Sequence, residues 1–335
     1  MLSAYCTGKL TIAVQETDAP KPAPGDVLVR VRVCGICGSD LHFYDGSLPI
    51  MPNVAMGHEF AGDIVALGDG VEKLAVGDRV AVEPVRRCTR CEYCTSGRYS
   101  ICRKRKIIGT EEAGGLAEYV SLPAYMMYKM PDAMDYDTAA LAEPLAISIH
   151  GLHVVNVRAG ERVLILGSGT IGLMATLAAR AMGAEVIAVY RHDHQGEAAL
   201  ALGASRIVRD GETAGLERQN IDVVIETVGG HARTIEAALG IVRGGGRVSV
   251  LGIFNQPSTL NGLSLVLKEV AVTGAIGYCR PDMHSDFETA LSILETNAAR
   301  ARTLITHRYP LPEAAQAFAT AADKSTKSLK VQVQM

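Results

Sequence analysis

The apolar positions of this chain change their period near residue 150 and again near residue 298. Before the first change they alternate. Val27, Val29, Val31 and Val33 share one side of an extended segment, and Leu28, Arg30 and Arg32 share the other. A two-residue period of this kind predicts a half-buried strand. Pro20, Pro22, Pro24 and Gly25 supply the turn ahead of it. Residues 62–68 and 77–83 read as further short strands bounded by glycine turns. Residues 1–150 are therefore expected to form a β-rich, barrel-like domain.

At 162–166 the alternation gives way to an unbroken apolar run, as in a strand buried on both faces. A glycine-rich turn follows, then a helical stretch over 173–182 and a second apolar strand over 185–189. Strands at 206–208, 222–226, 247–251 and 270–274 continue the series, with helices at 198–202, 230–242 and 283–297. The pattern predicts an α/β fold with a doubly wound parallel sheet. From 298 the texture is mixed again, with a helix over 312–322 and an alternating strand over 329–333 placed to rejoin the first domain. The expected division is residues 1–150 with 298–335 in one domain and 151–297 in the other.

Composition narrows the class. A chain of 335 residues can fill two cores, and 48% hydrophobic content with 34 glycines suits a turn-rich enzyme rather than a disordered chain. A net charge of -3 argues against partnership with nucleic acid or a polybasic membrane contact. Apolar runs fall short of the ~18 residues of a membrane span. Residues 1–10 lack a basic start followed by an apolar run, so no secretion signal and a cytoplasmic location are expected. In that setting the four of the eight cysteines that crowd between 88 and 102 favour metal ligation over disulfides.

Cys88, Cys91, Cys94 and Cys102 have the spacing C-x2-C-x2-C-x7-C. Four thiolates this close can enclose one zinc ion and leave no open position, which is a structural role. An iron–sulfur cluster takes the same ligands. Residues 35–59 hold a different set: Cys37, Ser39, Asp40 and His42, then Gly57, His58 and Glu59. This is ligand chemistry for a borderline metal, most plausibly zinc, with Ser39 and His42 near enough in sequence to move protons. Asp40 is expected to bond the turn backbone, and Cys6, Cys34 and Cys279 to be apolar thiols.

Gly167, Ser168, Gly169, Thr170, Ile171 and Gly172 form a G-x-G-x-x-G between a strand and a helix, the dinucleotide-binding arrangement. An acidic residue about 20 positions further on would bind the ribose hydroxyls of NAD. This chain has Tyr190, Arg191 and His192 there, with Asp193 next. Tyr190 and Arg191 become candidate cofactor contacts, and Arg191 with His192 could cradle a 2'-phosphate. NADP is therefore favoured, with NAD remaining open through Asp193.

The combination of Cys37-Gly38-Ser39-Asp40, Gly57-His58-Glu59, the four clustered cysteines, Ala142-Glu143-Pro144 and the glycine loop resembles the zinc-dependent medium-chain dehydrogenases. Within them it looks closest to the sorbitol (polyol) and threonine dehydrogenase branch. The resemblance covers nearly the whole chain. It implies a β-rich, GroES-like catalytic domain split around a Rossmann domain, an active site in the cleft between them, and a homodimer or homotetramer. It implies that Cys37 and His58 ligate catalytic zinc, that Glu59 can do so directly, and that Glu143 binds the zinc or its water. It places Ser39 and His42 in a proton relay. Alcohol dehydrogenases often use a later cysteine as third protein ligand; Glu143 occupies that part of this chain, giving a carboxylate-rich site. Phe43 falls where sorbitol dehydrogenases tend to carry tyrosine.

Two zinc ions per chain, one catalytic and one structural, and NADP or NAD are thus the expected cofactors. The expected reaction is hydride transfer between a secondary hydroxyl of a polyol, sugar or sugar acid and NAD(P). Threonine-dehydrogenase-like oxidation of an amino alcohol, a zinc-independent quinone or enone reductase of the same fold, and a non-enzymatic sensor binding NAD(P) and zinc are the alternatives. With five phenylalanines, eleven tyrosines and no tryptophan, a pocket for bulky apolar alcohols is disfavoured against one for a small polar alcohol.

Overall fold

A computed structural model describes residues 1–335. It divides into two compact units, Met1–Glu143 with Ala290–Met335, and Pro144–Thr289. These divisions fall several residues ahead of the texture changes at 150 and 298. Each lies inside a helix, Ala142–His153 or Asp286–Arg302, whose periodicity runs on across the boundary.

In chain order the first unit opens with β1 (Leu2–Gly8), β2 (Thr11–Glu16), β3 (Asp26–Gly35), α1 (Gly38–Tyr44), β4 (Glu59–Leu67) and β5 (Arg79–Val82). Next come β6 (Val85–Arg86), α2 (Glu92–Thr95), β7 (Lys106–Ile107), β8 (Tyr119–Pro123), β9 (Met127–Lys129) and α3 (Tyr136–Ala139). Helix α4 (Ala142–His153) carries the chain into the second unit. There follow β10 (Arg162–Leu166), α5 (Thr170–Ala181), β11 (Glu185–Tyr190), α6 (Asp193–Ala201), β12 (Arg206–Arg209) and β13 (Ile221–Glu226). The unit continues with α7 (Thr234–Ile241), β14 (Val242–Val250), α8 (Gly262–Leu267), β15 (Ala271–Gly274) and α9 (Asp286–Arg302). β16 (Ile305–Pro310), α10 (Ala314–Ala322) and β17 (Lys330–Gln334) return to the first unit.

The first unit is built on a seven-stranded sheet in the order β16-β17-β3-β4-β5-β9, with β8 also paired to β3. β17 runs antiparallel to β3, Gln332 opposite Gly35. Val27, Val29 and Val31 enter a core shared with Phe60, Ile64 and Phe318. On the other face Arg30 is exposed and Arg32 reaches Asp63 at 2.6 Å. The second unit is a six-stranded parallel sheet in the order β12-β11-β10-β13-β14-β15. Leu164, Leu166, Ile187, Val189 and Val224 form its core with Leu239 of α7. The order reverses beside β10, so the loops after β10 and β13 flank the switch point where such sheets bind ligands.

Three local readings shift. α7 begins at Thr234 rather than 230, because Gly229 and Gly230 hold positive φ of 62° and 63°. α6 starts at Asp193, five residues ahead of expectation, where the Gln195 side chain accepts the His192 N–H. The six-residue α8 has no counterpart in the sequence reading, and its Leu263, Val266 and Leu267 are exposed by 69%, 72% and 74%.

Candidate active site

Two sequence-distant segments meet at the ends of β3 and β4. Asp40 turns back to accept the Cys37 N–H at 2.9 Å, which fixes the thiol at the start of α1. Gly57 precedes His58 with φ +90°, and a Cβ there would fall 2.6 Å from Cys34 Sγ and 2.9 Å from the Leu116 nitrogen. A Cβ on Gly35 would stand 2.2 Å from Glu59 Oε2, so the glycine makes room for that carboxylate. Cys37 Sγ, a ring nitrogen of His58 and a carboxylate oxygen of Glu59 come within 4.8 Å of one another.

The charge around them suits a cation. His58 Nδ1 and Asp40 Oδ1 are buried, 3.5 Å apart, and neither has a hydrogen-bond partner. Burial alone would lower the imidazole's pKa, but Asp40 and Cys37 outweigh it and raise it well above the usual value. The pocket thus favours positive charge at the place where a thiol, an imidazole and carboxyl groups converge.

Glu59 is not idle in this arrangement. Lys330 donates to its Oε1 at 2.8 Å and Oε2 at 2.6 Å, and to the Ile36 carbonyl at 2.9 Å. Burial lowers the lysine's pKa, yet Glu59 and Cys37 more than offset it and the net shift is upward. Glu143 is buried at the start of α4, outside the close group of three. Burial pushes its carboxyl up to about 7, against the lowering effect of His58 and with the raising effect of Glu59.

The two relay candidates separate. Ser39 Oγ lies 3.5 Å from His58 Nε2. His42 is exposed on α1, and its Nδ1 meets Ser47 Oγ at 3.2 Å. Phe43 packs against the core of the first unit.

Cys88, Cys91, Cys94 and Cys102 converge, with Sγ–Sγ separations of 3.8 Å for Cys88–Cys94, 3.6 Å for Cys91–Cys94, 3.7 Å for Cys91–Cys102 and 3.6 Å for Cys88–Cys102. Zinc–sulfur bonds of about 2.3 Å in a tetrahedron give edges of about 3.8 Å, so the four thiols fit one ion. A multi-iron cluster, with metals and sulfides of its own between the ligands, would hold them farther apart. Backbone N–H groups of Arg90 and Cys91 lower Cys88 to about 6, which favours the thiolate. Arg87 anchors the base of this loop: it pairs with buried Glu83 and lies over the rings of Tyr99 and Tyr125, 3.9 Å and 4.8 Å from their centroids.

In the second unit, Gly167 takes φ +97° after β10. A Cβ on Gly172 would meet the Gly167 carbonyl oxygen at 1.8 Å, whereas one on Gly169 would meet nothing within 4 Å. Gly172 is thus required by packing, while Gly169 leaves the start of α5, with Thr170 and Ile171 in its first turn, open to a ligand. Ser168 Oγ donates to the Val189 carbonyl at 2.8 Å and ties the loop to β11. At the end of β11, Arg191 pairs with Asp210 at 3.0 Å. Arg209 pairs with Asp193 and lies 5.2 Å from the Tyr190 ring centroid.

Lys330 is the residue that sequence reasoning missed. It stands in an alternating strand, where a lysine reads as solvent-facing. β17 is an inner strand of its sheet, however, and Lys330, Val331, Gln332 and Val333 are all buried. Glu226 was also unmarked: at the end of β13 its Oε1 accepts from the N–H groups of Val228 and Gly229 and from Thr234 Oγ1.

Residues 23–132 match the alcohol dehydrogenase GroES-like domain, and residues 170–296 match the zinc-binding dehydrogenase domain. The chain is 33% identical over 335 residues to sorbitol dehydrogenase of Halalkalibacterium halodurans, covering 95% of this chain and 94% of that protein. It is 34% identical over 340 residues to L-idonate 5-dehydrogenase of Vitis vinifera, covering 96% and 91%. A zinc-binding dehydrogenase of Sinorhizobium meliloti 1021, solved with NADP, superposes with a TM-score of 0.90 at 31% identity over 100% of this chain and 99% of that one. An alcohol dehydrogenase of E. coli CFT073, solved with NADH, gives a TM-score of 0.92 at 27% identity over 100% and 99%.

Proposed function

This chain belongs to the zinc-binding alcohol dehydrogenase family and is an NAD(P)-dependent dehydrogenase, and from that premise we propose that it oxidises a secondary hydroxyl of a polyol, sugar or sugar acid to a ketone. The convergence of Cys37 with buried His58, beside the buried carboxyls of Glu59 and Glu143, carries this reading. Sorbitol and L-idonate, the substrates named for two relatives, are a polyol and a sugar acid.

Zinc, when bound, would act as a Lewis acid toward the substrate hydroxyl, and the nicotinamide would accept the hydride. Cys37 and His58 would hold the metal, with Glu143 as the third protein ligand. Glu59, engaged by Lys330 through both oxygens, would serve to set the local charge and orient the site. Moving it fully onto a metal would leave Lys330 unpaired in a dry interior, which is costly. Ser39, beside His58, would take the substrate proton toward solvent. The four-cysteine loop would hold a second, structural zinc.

For the cofactor, Gly167, Gly169 and Gly172 with Thr170 and Ile171 would receive the pyrophosphate at the start of α5. The absence of a carboxylate at Tyr190, with Arg191 and Arg209 alongside, supports a preference for NADP. Assembly as a homodimer or homotetramer is supported by the apolar side chains of α8 and by Ile276, 50% exposed, next to the edge strand β15. No helix is long and apolar enough to cross a membrane; a cytoplasmic location is the accompanying expectation.

The test is an oxidation screen over polyols, sugar acids, cyclitols and amino alcohols with both cofactors. Turnover of polyols or sugar acids that disappears in Cys37→Ser is the expected result. Turnover confined to amino alcohols, or reduction of quinones unaffected by Cys37→Ser, would overturn the proposal.

A further inference from the structure

Helix α4 carries His150 and His153, spaced so that both imidazoles leave one side of the helix. Both turn their Nδ1 atoms to one carboxylate: His150 lies 2.9 Å from Asp286 Oδ2, and His153 lies 2.6 Å from Asp286 Oδ1. Cys279 Sγ stands 3.4 Å from the same His150 nitrogen. The Cys279 N–H donates to Asp286 Oδ2 at 2.8 Å, and the Asp286 N–H returns to the Cys279 carbonyl at 2.8 Å, which locks the loop holding both. His150, Cys279 and Asp286 are buried, and His153 is half-buried. All four belong to the second unit, and none takes part in the site described above.

We propose that His150, Cys279 and Asp286, whose ligand atoms lie within 4.8 Å of one another, form an additional divalent-metal site, suited to zinc or a similar borderline ion, with His153 holding the Asp286 carboxylate from its other oxygen. His150 Nδ1 faces a carboxylate and a thiol at once, yet carries at most one proton. A proton directed to Asp286 leaves none for Cys279; a proton withheld sets a lone pair against the carboxylate. A cation at the common focus serves the thiolate, the His150 imidazole and the carboxylate together, while His153 orients the carboxylate. Its two positive charges are cancelled by Cys279 and Asp286, so the buried cluster is neutral. The donors are the sulfur, nitrogen and oxygen types that zinc accepts. Tetrahedral zinc places sulfur and nitrogen ligands about 3.5 Å apart, near the 3.4 Å between Cys279 and His150. The His150–Asp286 nitrogen–oxygen pair would open by less than about 1 Å on loading.

Zinc per chain, measured on the full-length protein across a titration of free zinc and after desalting, tests this. Wild type is expected to hold one equivalent more than Cys279→Ser. In His153→Gln, a milder change at a half-buried position, that equivalent should bind at least about tenfold more weakly. Turnover at saturating substrate should persist in both variants, and the equivalent lost in Cys37→Ser should be a different one. Cobalt-loaded Cys279→Ser should also lose part of the thiolate-to-metal absorption that His153→Gln retains. Equal zinc content in wild type and His153→Gln throughout the titration would overturn the proposal, even if Cys279→Ser fails to fold, and would reduce the cluster to hydrogen bonds.

Discussion

Lys330 and Glu59, 271 residues apart in sequence, form an ion pair in which each side chain is 1% exposed. Breaking one side of such a pair leaves an uncompensated charge in a dry interior, at about 3–5 kcal/mol. Lys330→Met is therefore expected to lower stability by that order in chemical denaturation. Glu59→Gln/Lys330→Met should recover much of the loss, because neither charge then remains. Turnover should not return in the double variant if Glu59 sets the charge beside Cys37 and His58. Full activity there would remove Glu59 from the site.

The glycine loop offers a sharper contrast. Gly172→Ala drives a methyl group into the Gly167 carbonyl, while Gly169→Ala meets only open space. The first should lower the melting temperature, by an amount corresponding to about 1–3 kcal/mol. The second should leave melting unchanged within error and weaken NAD(P) binding at least tenfold, about 1.4 kcal/mol. Binding titrations beside thermal melts separate the two. Equal melting of the two variants would contradict the steric assignment.

The two thiol sites should respond differently to loss of a ligand. Cys37→Ser is expected to abolish turnover with little change in melting. Cys91→Ser opens a closed four-sulfur cluster and should cost stability first, by about 2 kcal/mol or more, with activity following the folded fraction. A mild chelator should strip activity from the wild type before it lowers the melting temperature. The reverse order would exchange the two metal roles.

The proposed preference for NADP turns on a small charge network. Arg191 is 71% exposed and held by Asp210, so it can move to a 2'-phosphate without leaving a buried charge behind. Tyr190→Asp should shift the kcat/KM ratio toward NAD by about tenfold or more, since a carboxylate there binds ribose hydroxyls and repels phosphate. Asp210→Asn should move it modestly toward NADP. An unchanged ratio in Tyr190→Asp would place cofactor discrimination elsewhere.

Acid sensitivity has a local component at Asp222. Burial would raise its carboxyl, but the Arg162 N–H at 2.8 Å and Arg243 at 2.7 Å outweigh it and bring it below the usual range. An acid whose pKa is lowered by folding stabilises the fold above its unfolded value of about 3.9 and loses that contribution as pH falls through the lowered value. Asp222→Asn should therefore cost about 1–2 kcal/mol near pH 6. The difference from wild type should shrink toward pH 3 in equilibrium unfolding.

How far the sequence could be read depended on whether a signal was local. The strand at 162–166, the glycine loop and the cysteine cluster each carry their signal within a few residues, and in the fold the strand forms, Gly172 packs against Gly167 and the four thiols converge. Cys37 and His58 were legible because a glycine lies beside each. What was hidden depended on pairing across the chain. Lys330 looks like a surface lysine until β17 is seen between β16 and β3. The convergence of His150, His153, Cys279 and Asp286 likewise needs α4 and a loop more than a hundred residues later to meet. His42 shows the opposite case: close in sequence to Cys37, it projects from α1 to solvent.

The 271 residues between Glu59 and Lys330 also set an order of events during synthesis. At about 5–20 residues per second, roughly 14–54 s pass between the making of the acid and the making of its counterion. Through that interval the nascent chain holds β3 and β4 without the strand that neutralises Glu59. The first unit is then expected to stay open on the ribosome while the parallel sheet, whose strands all lie within the intervening segment, folds ahead of it. Limited proteolysis of stalled nascent chains ending before and after β17 would register that order as protection of 144–289 ahead of residues 1–143.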